Sequence, residues 1–206
     1  MADQLFKKRK AKNARSLKRK RAKRSPYDMV LIVCEGEKTE PSYFRAMIDD
    51  LHLNTANIVV AKNTTGSSPK SIVEFALNEY RREKEYDRVY CVFDKDRHTT
   101  YNRALDIIRR ARLKKGHSII ATTSVPCFEF WLLLHFNYTT KQYDTGSGSI
   151  CANVISDLKE HLPNYTKGSY NAYQATKDWL NTAIVNSKRV SDHCETGGTD
   201  MPSTKI

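Results

Sequence analysis

Three carboxylates stand where a parallel sheet would bring them together. Glu35 follows the apolar run MVLIVC at residues 29–34, and Asp94 and Asp96 follow a second run, DRVYCVF, at residues 87–93. Two aspartates at i and i+2 at a strand terminus can direct oxygens toward one divalent ion. Mg²⁺ favours such sites, with few carboxylates and several waters, and so leaves room for substrate phosphates. An ion held there can polarise a phosphodiester, supply a hydroxide nucleophile or stabilise the leaving oxygen. A bare D-x-D is a weak signal, because exposed acidic pairs after strands are common. Joined to Glu35-Gly36 after an earlier strand, it becomes much more specific.

For these carboxylates to meet, the runs that carry them must lie parallel in one sheet. Residues 29–34 are continuously apolar with branched side chains, which suits a strand covered on both faces. Gly36 lets the chain turn, and Thr39-Glu40-Pro41 reads as a helix N-cap and first turn, after which Phe44, Met47, Ile48 and Leu51 repeat at helical spacing. A second strand is expected within residues 56–62 and a polar loop at 63–68. A helix follows from Pro69, with Val73, Ala76, Leu77 and Tyr80 on one face, then a third strand at 87–93. A third helix is expected over residues 101–115, closed by Gly116 as C-cap, with a basic outer face of Arg103, Arg109, Arg110, Arg112, Lys114 and Lys115. After a fourth strand at 118–123 and Pro126, the segment FEFWLLLHF at 128–136 is too apolar all round for a surface helix. This alternation argues for an α/β fold with a parallel sheet and right-handed crossovers, whose carboxyl edge holds Glu35, Asp94 and Asp96. From residue 138 the pattern changes to a flexible loop, TGSGS at 145–149, and two helical stretches near 150–162 and 169–187. Residues 195–206 are expected to lack structure.

Charge divides the chain unevenly. Twelve of the 35 Lys and Arg residues fall within residues 1–25 against a single acid, Asp3, so nearly all of the formal charge of +12 lies there. Like charges this dense, with few apolar groups, resist collapse, and residues 1–26 are expected to be a disordered basic arm. It reads as a solvated tail, as a phosphate-binding arm around Lys18, Arg19, Lys20 and Arg21, or as a nuclear localisation signal. The five cysteines are an odd number without C-x-x-C spacing, which supports neither a disulfide framework nor a zinc knuckle. No apolar stretch approaches a membrane span, and the basic N-terminus lacks a signal peptide's apolar core, so a cytoplasmic chain is expected.

The pairing of Glu35-Gly36 with Asp94-Lys95-Asp96 resembles the Toprim domain, the metal-binding module of type IA topoisomerases, bacterial primases, recombination mediators and overcoming-lysogenization-defect nucleases. There a Glu-Gly follows the first strand and a D-x-D the third. VCEGEKTEPSYF, VFDKDRH and PCFEFWLLLHF together resemble the RloB family, small bacterial Toprim-like proteins associated with restriction and phage-defence loci. The resemblance implies a Toprim-like (Rossmann-like) parallel sheet flanked by helices over residues 27–140, with a small helical C-terminal extension over 141–206 packed on the same domain. It also sets an expectation of Asn-Pro-x-Thr opening a further helix. This chain has Met201-Pro202-Ser203-Thr204 instead, and that final helix is expected to be absent or not included.

By the same resemblance, Asp94 and Asp96 would hold Mg²⁺ or Mn²⁺, and Glu35 would act as general acid or base or ligate a second ion. Glu129 is a further candidate ligand, or else a buried carboxylate paired with a neighbouring cation. Lys38 and Arg97 read either as neutralisers of phosphate charge or as solvated surface residues. His98 reads as an incidental loop histidine or a proton shuttle, His135 as a packing histidine, and Glu37 and Glu40 as turn and helix-start residues favoured by the helix dipole. The function implied is a metal-dependent nuclease acting on DNA or RNA in anti-phage defence. The arm, Arg97, Arg109, Arg110 and Arg112 would grip the backbone, and an ATPase of the same system would be a partner. The alternative is a catalytically inert Toprim-fold module that binds nucleic acid or protein. A phosphoryl-accepting receiver would carry its acidic pair after the first strand and one aspartate after the third, the reverse of this order.

Overall fold

The computed structural model describes residues 27–62, 66–83, 86–96, 98–143, 149–168, 171–198 and 202–206. The arm, with Lys18, Arg19, Lys20 and Arg21, and the candidate Arg97 lie outside them. Strands β1 (Val30–Cys34), β2 (Ile58–Lys62), β3 (Arg88–Asp94) and β4 (Ser118–Val125) run parallel. A two-residue β5 (Ser203–Thr204) adds antiparallel to β4, giving the order β2-β1-β3-β4-β5.

Alternate residues of the central strands enter two separate cores. Leu31, Val33, Val89, Cys91 and Phe93 face one side, and Ile32, Cys34 and Val92 the other. Both faces are covered, which is why these strands read as continuous apolar runs. The first side is closed by α2 (Pro69–Glu83) and α3 (Tyr101–Arg110), through Ile72, Val73, Ala76 and Ala104. The second carries α1 (Thr39–Asp50), α4 (Phe128–Leu133), α5 (Ile150–His161), α6 (Ala172–Thr176) and α7 (Leu180–Gly197), with a 3₁₀ turn, Lys177–Trp179, between the last two. Phe44, Phe130, Leu158, Tyr173 and Val190 share that core, so the residues after 140 pack into the same interior as the first helix.

Every residue of α4 is buried, which accounts for its apolar sequence on all sides. His135 is fully buried beyond its end. Its Nδ1–H donates to the Trp131 carbonyl at 3.0 Å, and Nε2 accepts from the Tyr43 hydroxyl at 3.3 Å. Burial pushes its pKa down to about 4, so it is a neutral packing histidine.

Several boundaries differ from the sequence reading, each for a local reason. Helix α1 begins at Thr39 with Lys38 as N-cap and no side-chain cap, because the Thr39 hydroxyl instead accepts from the backbone N–H of Gly168 at 2.9 Å. Helix α3 stops at Arg110, not near 115. Ala111 is extended, Leu113 packs on the α2 side, and the Lys114 N–H donates to the Tyr80 hydroxyl. The stretch near 169–187 is broken at residues 177–179, and α7 continues to Gly197. Residues 203–204 are strand, because the end of β4 presents unpaired backbone. Lys205 N–H donates to Thr123 O at 2.8 Å, and Thr204 is 1% exposed. Among the described residues, no helix is long and apolar enough to cross a membrane. All five cysteines are free and buried.

Truncating Leu132 to Ala, which removes a wholly buried side chain, is expected to cost about 2–5 kcal/mol in urea unfolding. Truncating the exposed Ile184 of α7 is expected to change stability by less than about 0.5 kcal/mol. Equal losses would contradict the placement of the core beneath α4.

Candidate metal centre at the carboxyl edge of the sheet

Backbone pairing places the three acids. Cys34 lies opposite Val92, and the next residue continues that ladder, with Glu35 N–H donating to Val92 O at 2.9 Å. Glu35 then turns its Oε2 onto the backbone N–H of Asp94, at 3.0 Å, and its Oε1 onto His98 Nε2, at 2.8 Å. Asp94 ends β3 opposite Ser124. The chain beyond stays tied to β4, Lys95 N–H donating to Ser124 O and Asp96 N–H to Pro126 O. Asp96 adopts φ 30°, in the left-handed region that aspartate tolerates better than most residues, so the chain turns sharply at the second acid.

Glu35, Asp94 and Asp96 line a cavity of about 330 Å³ together with Lys38, Glu40, His98, Lys167 and Gly168. Glu40 sits in the first turn of α1 yet is 8% exposed, with its carboxylate lying over Gly36. A Cβ built on Gly36 would collide with Glu40 Oε2 and lie 2.7 Å from its Cδ. Glycine after Glu35 therefore makes room for another acid as well as for a turn. Glu129, in α4, is 1% exposed and accepts from the Tyr165 hydroxyl at 3.1 Å. It lies behind the cavity wall and reaches the site through its charge.

Burial and mutual repulsion hold Glu35, Glu40 and Asp94 toward the protonated form. Burial, then the charges of Glu40, Glu35 and Glu129, raises Asp94 well above the usual carboxylate range. Burial raises Glu40 to about 6, with Glu129 and Glu35 adding to the shift. Burial also raises Glu35, offset by the Asp94 N–H and by His98. Lys167 shows the converse. Desolvation works against its charge, but Glu129, Asp94 and the neighbouring thiols overcome it and its pKa is raised.

The structure thus gathers Glu35, Asp94, Asp96 and Lys38 on one cavity and sets Glu129 behind it. Of the basic candidates, Arg109 is ion-paired to Asp106 at 3.0 Å, and Arg110 and Arg112 are exposed on the α2–α3 side of the molecule. Sequence reasoning took Glu40 for a helix-start residue, passed over Lys167 and gave His98 no partner. Gly36 was a signal for Glu40, because a residue without Cβ admits a neighbour; a lysine in a loop carries no signal. Among the described residues, no three His, Cys, Asp or Glu side chains converge as a ready-made metal cage. The donor set still fits a hard divalent ion. It offers carboxylate oxygens around an open cavity and an excess of negative charge that a cation would relieve, and Mg²⁺ needs only one or two carboxylates beside its waters.

Because Glu40 is raised from 4.5 to about 6 on folding, the folded state binds its proton more tightly than the unfolded chain between those values. Stability therefore falls as pH rises through that window, and the destabilisation is complete above about pH 6. In metal-free protein at pH 7.5, Glu40→Gln is expected to stabilise the fold by about 2 kcal/mol, with no gain at pH 4. Urea unfolding at both pH values checks this, and equal stability at pH 7.5 would refute it.

A search of curated proteins and a search of solved structures found no match. A family model described as RloB-like protein matches residues 30–206, from the first strand through the last. The chain belongs to the RloB-like family.

Proposed function

We propose that this chain is a Mg²⁺- or Mn²⁺-dependent nuclease that hydrolyses nucleic-acid phosphodiesters at the carboxyl edge of its sheet. The observation that carries the reading is the meeting of Glu35, Asp94 and Asp96 on one cavity that also holds two lysines. Asp94 and Asp96 would hold the ion, with Glu35 and Glu40 close enough to share its charge. A bound divalent ion would polarise the phosphodiester and stabilise charge that develops on its oxygens. Lys38 and Lys167 would neutralise the phosphate as it enters an otherwise acidic pocket. Glu35, held by His98 on one oxygen and by the Asp94 N–H on the other, is placed to take or return a proton, with His98 as its relay. Glu129 would act from behind, keeping Lys167 charged. Membership of the RloB-like family is what supports a role in anti-phage defence and a partner ATPase.

One observation favours the second reading, an inert Toprim-fold binding module: the acids do not by themselves form a cage. Calorimetry with Mg²⁺ and Mn²⁺ separates the two. The double change Asp94→Asn, Asp96→Asn is expected to abolish metal binding and to lower cleavage of plasmid, single-stranded DNA or RNA at least roughly a hundredfold. Glu35→Gln is expected to lose cleavage while nucleic-acid binding persists. Wild-type protein that binds nucleic acid but neither ion would favour the inert module.

A further inference from the structure

Helices α2 and α3 both start at the carboxyl edge of the sheet and run back to the opposite edge, as right-handed crossovers between parallel strands must. Their facing stripes are read from helical spacing. Lys70, Glu74, Leu77 and Arg81 recur at i, i+4, i+7 and i+11, and Arg103, Ile107 and Arg110 at i, i+4 and i+7. The residues of both stripes line adjoining clefts of about 500 and 390 Å³, with Leu77 and Ile107 as floor and Arg112 at the far end. The cleft's acids are already engaged. Glu74 pairs with Lys70 at 3.5 Å, and Asp106 pairs with Arg109 at 3.0 Å, while Asn78 accepts from Arg81 at 3.4 Å. That leaves Arg103, Arg110 and Arg112, all exposed and without an ion pair among the described residues.

We propose that this α2–α3 cleft is a nucleic-acid backbone site that carries the strand away from the acidic pocket. The proposal rests on the nuclease reading for its direction but not for its existence. Arg103 stands five residues beyond His98, whose ring touches Glu35, in the first turn of a helix that starts at the same sheet edge as the carboxylates. Arg103 and Arg110 are about 10 Å apart along the helix at 1.5 Å per residue. At 3.4 Å of duplex axis per nucleotide of one strand, that separation covers roughly three nucleotide steps, so Arg103 and Arg110 would reach separate phosphates of one strand, with Arg112 beyond them. Guanidinium forks suit bidentate phosphate contacts, and contacts to phosphate carry no sequence information. The pocket repels a polyanion while the cleft attracts one. The strand is held beside the acids, and only the scissile phosphate has to enter them.

The test is the salt dependence of binding in EDTA, so that cleavage plays no part. Fluorescence anisotropy is measured for the full chain on a 20-base-pair DNA duplex and on single-stranded RNA. Arg103→Ala, Arg110→Ala, Arg112→Ala together are expected to weaken binding roughly ten- to a hundredfold near 0.1 M salt. They are also expected to reduce the slope of log K against log salt by about two to three on at least one of the probes. The triple lysine variant should restore most of the slope, which excludes misfolding, and Lys159→Ala, exposed in the last turn of α5 on the other face of the sheet, should leave it unchanged. An unaltered slope on both probes overturns the proposal. If polyglutamate, rather than either nucleic acid, loses affinity for the triple alanine variant, the cleft takes an acidic polypeptide and the proposal fails. Retained DNA or RNA binding in wild type, lost in the triple variant, with no cleavage when Mg²⁺ is restored, would sustain the cleft and sink the nuclease reading.

Discussion

The crowding of Glu35, Glu40, Asp94 and Glu129 at one sheet edge is the constraint on which the rest depends. Like charges in a partly desolvated site oppose folding unless something holds them. Here the holding is done by pieces of backbone. The β1–β3 ladder sets Glu35 against the Asp94 N–H, and the β3–β4 ladder continues far enough to fix Asp96. The missing side chain of Gly36 lets Glu40 in. The arrangement gathers like charge where a cation would relieve it.

The residues after 140 belong to that site as much as the strands do. Thr39 at the start of α1 accepts from Gly168, and the Lys38 stem lies against the same glycine. Tyr165 holds Glu129, and Lys167 supplies positive charge beside the acids. The later helices therefore form one wall of the pocket, and their own core is continuous with that of α1 and α4. This is in keeping with a family match that runs through to residue 206 and does not stop with the parallel strands.

Glu35, Asp94 and Asp96 were legible in the sequence because they follow apolar runs, and a parallel sheet aligns the ends of such runs at one edge. The parallel strands and the buried α4 were legible from long runs with no polar face. Glu40 was not, because a first-turn glutamate looks alike whether it meets water or other carboxylates, and its burial is decided by a loop far along the chain. Lys167 lies in a segment without periodicity. A two-residue strand such as β5 leaves no pattern of its own and exists because β4 has an open edge. The end of α3 was misjudged for a related reason: helix propensity favours continuing through residues 111–115, but the Tyr80 hydroxyl and the Leu113 pocket draw the chain away.

The contact between Thr39 and Gly168 joins residues 129 apart. During synthesis, at about 5–20 residues per second, the strand-end acids, complete at Asp96, would precede Lys167 by ~4–14 s. For that interval the nascent chain has those acids and Lys38 without Lys167, and its first helix without the loop that bonds to Thr39. A chain stalled or cleaved before residue 167 would keep the strand-end carboxylates and Lys38 and lack Lys167. The order of translation thus delays completion of the pocket until most of the chain has been made.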